Sequence, residues 1–269
     1  MRYNKVMAMP TDLDELTLGT ARVKRVTPPV RGANPARRAR WVLLISAVVT
    51  FGLYVVPFGH VIARPLLYLS TLVHELGHGV AALLFGAHFE ELRMYSDGSG
   101  VALTAASSKW QHAAIAAGGL VGPAVGAALG FAVARRPRWS RAALGALGLF
   151  LVWAMIFKVR SSFGLAVAGT VALGSLVIAW RARADVAQLV LGFLSVQLAL
   201  SVFSRGDYLF MEKGATGVGV MPSDSAGLAA MLGGPYWLWG ALCAAFSLAA
   251  LGVGAWLMLR GVARQPRVV

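Results

Sequence analysis

The sequence predicts an all-α polytopic membrane protein of about seven transmembrane helices, with a short β-hairpin following the second. Three observations carry this. Of the 269 residues, 58% are hydrophobic and only 13% charged, against roughly 25% charged residues in an ordinary soluble domain. The apolar residues arrive in runs of about 17–25, separated by short basic stretches, which is the pattern of a helical bundle in a bilayer; a transmembrane barrel would alternate instead. Finally, EELRMYSDGSGVALTAA (90–106) sets a turn signal, Asp97-Gly98, between two short runs, one of them alternating, and so reads as a hairpin.

Residues 1–40 mix charge with proline and glycine and show no apolar periodicity, which predicts a disordered, basic cytoplasmic tail. The first apolar run begins near Trp41 and lacks a small-residue cleavage site after it, so a cleavable signal peptide is not expected. Candidate spans follow at 41–62, 65–86, 112–134, 142–158, 163–180, 186–204 and 236–259 within a domain at 41–262, with a short tail at 263–269. Lysine and arginine ahead of the first span place the amino terminus inside, which puts 87–111 on the cytoplasmic side. Arg135, Arg136, Arg138 and Arg141 would then lie outside, against the same rule. The connection at 205–235 is too long and polar for a tight turn and contains Asp207, Glu212 and Asp224.

The formal charge of +14 concentrates ahead of the first span, without aromatic interleaving or a nucleic-acid motif. It suits an anionic lipid surface and argues against a nucleic-acid partner. Cys243 is the only cysteine, which excludes a disulfide framework and a thiolate cluster. Any metal must be held by histidine and carboxylate.

Residues 71–86, TLVHELGHGVAALLFG, set two histidines and a glutamate in an otherwise apolar run. An ionised group at mid-membrane costs roughly 2.5–3.5 kcal/mol on insertion scales, and a metal would compensate three such groups at once. His74 and His78 are one helical turn apart on one face, close enough to share an ion. Glu75 then stands beside that ion, where it can accept a proton from water and return it to a leaving amine. This is the H-E-x-x-H arrangement of zinc metallopeptidases. The structural alternative pairs the histidines with neighbouring helices and Glu75 with an arginine. Gly118, Gly122, Gly126 and Gly130 form a smooth stripe in the next span, which we place against the His74 helix.

The run resembles the site-2 protease family of intramembrane zinc metallopeptidases, particularly its short bacterial members without a PDZ domain. The glycine-rich hairpin YSDGSGVALT and the segment AAGGLVGPAVGAAL, similar to the family's Gly-Pro helix, agree with it over about 65–259. The resemblance implies Zn2+ and a third ligand from an aspartate on a later helix, commonly within Leu-Asp-Gly. That motif is absent. Asp207, ending VQLALSVFSRGDYLF, ranks first, because short members carry an acidic pair there. Asp224 in PSDSAG is the alternative, and Asp97 in the hairpin is third. Each also suits a loop carboxylate or helix cap. Asp97, Gly98, Ser99 and Gly100 of the hairpin are candidate substrate-binding residues. His60, His88 and His112 lie near span ends and read as interfacial rings; Arg160 in KVRSSFG reads as a snorkelling arginine.

The resulting expectation is an intramembrane zinc metalloendopeptidase of the bacterial cytoplasmic membrane, acting on membrane-embedded protein or peptide substrates. The hairpin edge would pair with an unwound substrate segment. A non-catalytic pseudoprotease or scaffold that binds transmembrane segments is the alternative. A transporter would require matching halves, and no internal repeat is present beyond shared hydrophobicity.

Overall fold

The computed structural model describes residues 59–204, 209–216 and 219–263, with isolated helical positions between 41 and 52. The expected tail at 1–40 and most of the expected first span lie outside the described residues. Everything described falls within one unit, Ala33–Val269.

Among the described residues there are seven helices and two hairpins. The order is α1 (Gly59–Leu84), β1 (His88–Met94), β2 (Gly100–Ala105), α2 (Lys109–Ala134), α3 (Pro137–Phe157), α4 (Ser162–Arg181), α5 (Ala184–Ser204), β3 (Lys213–Thr216), β4 (Gly219–Pro222), α6 (Asp224–Leu232) and α7 (Tyr236–Ala263). The five helices α2, α3, α4, α5 and α7 are long and apolar enough to cross a membrane. Helix α1 is not among those five, although its 26 residues span about 39 Å. Its histidines, Glu75 and Arg64 lower its hydropathy. It also begins at Gly59 and runs through Pro65, so the break expected between 62 and 65 is absent.

Local chemistry explains the helix ends. Gly86, at φ 71°, closes α1: its N–H donates to Leu83 and that of Ala87 to Ala82, the paired C-terminal bonds that a left-handed glycine allows. Helix α2 opens with a capping box in which Ser108 and Gln111 exchange hydrogen bonds, satisfying otherwise orphaned N–H groups. The Gln111 side chain also donates to the Phe85 carbonyl, tying the start of α2 to the end of α1. Pro137 starts α3 at a position where no amide donor is needed. Arg141 donates to the carbonyls of Ala179 and Trp180, so one of the arginines that conflicted with the inside rule closes the end of α4. Arg160 does the same for α3, donating to Phe157 at 2.8 Å; this is a cap rather than a snorkelling side chain.

Helix α2 packs against α1, α5, α6 and α7. Its glycine stripe divides between partners. Gly118 and Gly122 meet α1 at Gly77, whereas Gly126 and Gly130 face Leu198 and Ser195 of α5. At Gly77 and Gly118 the helices touch backbone to backbone, and a Cβ on Gly77 would collide with the Gly118 carbonyl. Dispersion contacts at this range, unopposed by side-chain entropy, are the main source of helix association in lipid. A second core joins α1, the first hairpin, α3 and α4 through Leu72, Leu76, Phe89, Leu92 and Leu151.

Strands β1 and β2 pair antiparallel, with Met94 opposite Gly100 and Tyr95–Ser99 as the turn. The turn is held on α1: the Tyr68 hydroxyl donates to the Ser96 carbonyl at 2.9 Å and Thr71 to the Gly98 carbonyl at 2.7 Å. The backbone N–H and hydroxyl of Ser99 both bond Asp97 and hold its carboxyl below the usual carboxylate range. On the other side of β1, Val159 bridges Leu92. The connection expected as a long polar loop at 205–235 instead contains the hairpin β3–β4 and the helix α6. Its strands are four residues each, too short to show a reliable alternation.

Replacing Gly77 with leucine should force α1 and α2 apart. The expected loss is about 1–3 kcal/mol, typical of overpacking, read as a lower unfolding midpoint in detergent. Gly174→Ala is the control, because a Cβ there meets nothing within 4 Å; its midpoint should not fall.

Candidate metal centre

Helix α1 brings His74, Glu75 and His78 to one buried region, each less than a tenth exposed. The two imidazole rings lie 4.8 Å apart at 89°, and their Nε2 atoms are 3.2 Å from each other. Asp224 Oδ2 completes a triangle, 3.1 Å from His74 Nε2 and 3.4 Å from His78 Nε2. Two ligands held about 2.0–2.1 Å from a tetrahedral zinc ion are themselves about 3.3 Å apart. All three edges match that separation.

The donor chemistry agrees. Asp224 Oδ2 is buried without a hydrogen-bond partner among the described residues, although two ring nitrogens lie within 3.4 Å. An orphaned carboxylate oxygen is costly, and an ion at the centre of the triangle would satisfy it. His78 Nδ1 is 2.8 Å from the Ile115 carbonyl. Donation there leaves the Nε2 lone pair directed at the centre, the outer-shell arrangement that orients metal-binding histidines. His74, His78 and Asp224 therefore fit a zinc ion with one position left open.

Each residue is placed by its local sequence. A Cβ on Gly119 would strike the His78 ring, so glycine at that position lets α2 close over the imidazole. Pro123, four residues on, removes the amide that would have paired with the Gly119 carbonyl. Asp224 is the first residue of α6 and Ser223 is its cap. Ser223 donates to the Met211 carbonyl at 2.5 Å and accepts from the Ala226 amide at 3.1 Å. The neighbouring Ser225 is fully buried. The carboxylate thus stands between two anchored serines.

A cleft of about 260 Å³ opens over these groups. Gly100, Val101 and Ala102 of β2 form one wall, and Met221 and Pro222 of β4 another. A Cβ on Gly100 would lie 2.7–2.9 Å from Glu75 and Thr71, so only glycine lets β2 approach the glutamate this closely. Val159 covers the far side of β1. Among the described residues, the edge of this sheet that borders the cleft is therefore that of β2.

The expected residues separate as follows. His74, Glu75 and His78 lie together as their spacing implies, and Asp224 joins them. Asp207 lies outside the described residues. Of the hairpin residues, Gly100 lines the cleft, whereas Asp97, Gly98 and Ser99 form the turn, which packs toward Leu67, Tyr68 and Thr71 of α1. Asp97 is bonded to Ser99 and stands apart from the triangle. His88 is exposed on β1. His112, read as an interfacial ring, instead lines the cleft; its position three residues before Ile115 was the available signal. The roles of the Ile115 carbonyl and of the two serines flanking Asp224 had none, since they depend on where separate segments meet.

Comparison with known proteins agrees with this geometry. No curated protein and no solved structure matches the chain. A family model described as Peptidase M50B-like matches residues 44–254, most of the chain and all four residues around the triangle. The chain belongs to this peptidase family, the site-2 protease family that the residues from His74 to His78 resemble.

Proposed function

We propose that the protein is an intramembrane zinc endopeptidase that hydrolyses peptide bonds of membrane-embedded protein substrates. His74, His78 and Asp224 hold the metal and Glu75 is the general base. The observation that carries this reading is the triangle of Nε2, Nε2 and Oδ2 atoms at 3.1–3.4 Å, with a carboxylate next in sequence to the first ligand. Zinc in such a site supplies Lewis acidity that polarises a carbonyl and makes water acidic near neutral pH.

The remaining steps fall to the chain. Glu75, buried at the edge of the cleft, takes the proton from the attacking water and delivers it to the departing amine nitrogen. The Ile115 carbonyl keeps His78 in one tautomer. A helical substrate hides its peptide groups, so it must unwind to react, and an unwound segment needs new hydrogen-bond partners away from water. The edge of β2 offers them by strand addition, alongside Glu75. Five apolar helices support a membrane location. The basic residues before the first expected span favour an amino terminus on the cytoplasmic side, and the high alanine, glycine and arginine usage suits a bacterial cytoplasmic membrane.

Metal analysis of detergent-purified protein tests the ligand set. One zinc per chain is expected, lost in His74→Ala and Asp224→Ala and kept in Asp207→Ala. A wild-type protein that stays metal-free with zinc supplied would sink the catalytic reading in favour of a binding scaffold.

Glu75→Gln should lower peptide cleavage by about 10²–10⁴-fold, the range for a lost acid–base group, while zinc stays bound. Turnover by this variant equal to wild type would remove Glu75 from the mechanism.

A further inference from the structure

The cleft wall contributed by α2 includes His112, Ile115 and Ala116, positions that share one helical face. His112 is exposed, and its ring has no hydrogen-bond partner among the described residues. Apart from His74, Glu75, His78, Asp224 and His112 itself, the described residues lining the cleft are glycine, proline, alanine, valine, isoleucine or methionine. Among the described residues, His112 is thus the one polar side chain in the lining outside the triangle and its glutamate. Pockets of this kind orient their ligands through a small number of placed polar groups in apolar walls.

The distance scale suits a substrate contact rather than a role at the reacting bond. The His78 ring touches α2 between the Ile115 carbonyl and Gly119, three to seven residues beyond His112, which is about 5–10 Å along the helix axis. An extended peptide covers the upper end of that range in about three residues. The two walls also differ in what they offer. Strand β2 presents main-chain donors and acceptors at its edge, whereas the amides of α2 in this stretch are engaged within the helix. An unwound substrate lying between them would find partners on the β2 side and, on the α2 side, only the imidazole.

We propose that His112 is a substrate-recognition residue, donating a hydrogen bond to an acceptor of the peptide about three residues from the scissile bond. This rests on the peptidase reading above. The acceptor is either a main-chain carbonyl or a polar side chain, both presenting the same oxygen to the ring.

The test is binding by the zinc-loaded Glu75→Gln protein, which separates recognition from cleavage. The probe is a fluorescent 22-residue Leu/Ala transmembrane peptide with a central Gly-Pro break, in detergent, in versions with and without an asparagine three residues from the break. Adding His112→Ala should weaken binding by about three- to ten-fold, the scale of one net hydrogen bond, at unchanged zinc content. His112→Gln, which keeps a donor, should restore it. An equal loss for both peptides identifies the main-chain carbonyl; a loss confined to the asparagine version identifies its side chain. Affinity of His112→Ala within two-fold of the parent, or failure of glutamine to rescue, overturns the proposal. If the zinc-loaded parent binds neither peptide while His112 is intact, the peptide-substrate reading fails, and the inference with it.

Discussion

The backbone contact between Gly77 and Gly118 is the constraint on which the site depends. Side chains at these positions would collide with the facing helix and hold α1 and α2 further apart. The Ile115 carbonyl could not then reach His78 at 2.8 Å, and Gly119 could not sit against the imidazole. Close approach also excludes lipid from the charged face of α1, so His74, Glu75 and His78 meet protein groups instead of hydrocarbon. The same glycines that bind the bundle together thereby orient the His78 imidazole.

From that contact outward, the molecule is organised around α2. One of its faces supports the histidines, another carries α5, and α6 and α7 pack along it. Helix α6 brings Asp224 to the triangle from 146 residues beyond His78 (224 − 78). The hairpin β1–β2 is held by different devices: Tyr68 and Thr71 clasp its turn, Val159 extends it on the outer side, and Ser161 accepts from the Met94 amide at 2.9 Å. Each clasp bears on the position of Gly100, and so on how close a strand edge comes to Glu75.

The sequence made the helical spans legible because hydropathy over twenty residues is a strong, local signal; α2 to α5 and α7 start or end within a few residues of the expected limits. It also exposed the metal helix, since a four-residue spacing has direct meaning on a helix, and the first hairpin, through Asp97-Gly98. Other features were less accessible. The third member of the triangle, Asp224, belongs to a segment of nine helical residues preceded by two four-residue strands, all below the length at which periodicity can be read. The Ser-Asp-Ser sequence looks like an ordinary helix start until Met211 and the histidines are brought beside it. Likewise, the apolar stripe of α2 does not reveal which glycines meet α1 and which meet α5, because one four-residue repeat serves both.

The three residues of the triangle also have a chronology. His74 and His78 belong to a helix made early in synthesis, whereas Asp224 arrives only after four further long helices have emerged. A chain halted between His78 and Asp224 possesses the paired imidazoles and Glu75 but not the carboxylate that completes the triangle. The assembled triangle is therefore a property of the nearly finished bundle, and an ion that needs all three groups has no complete site on a nascent chain.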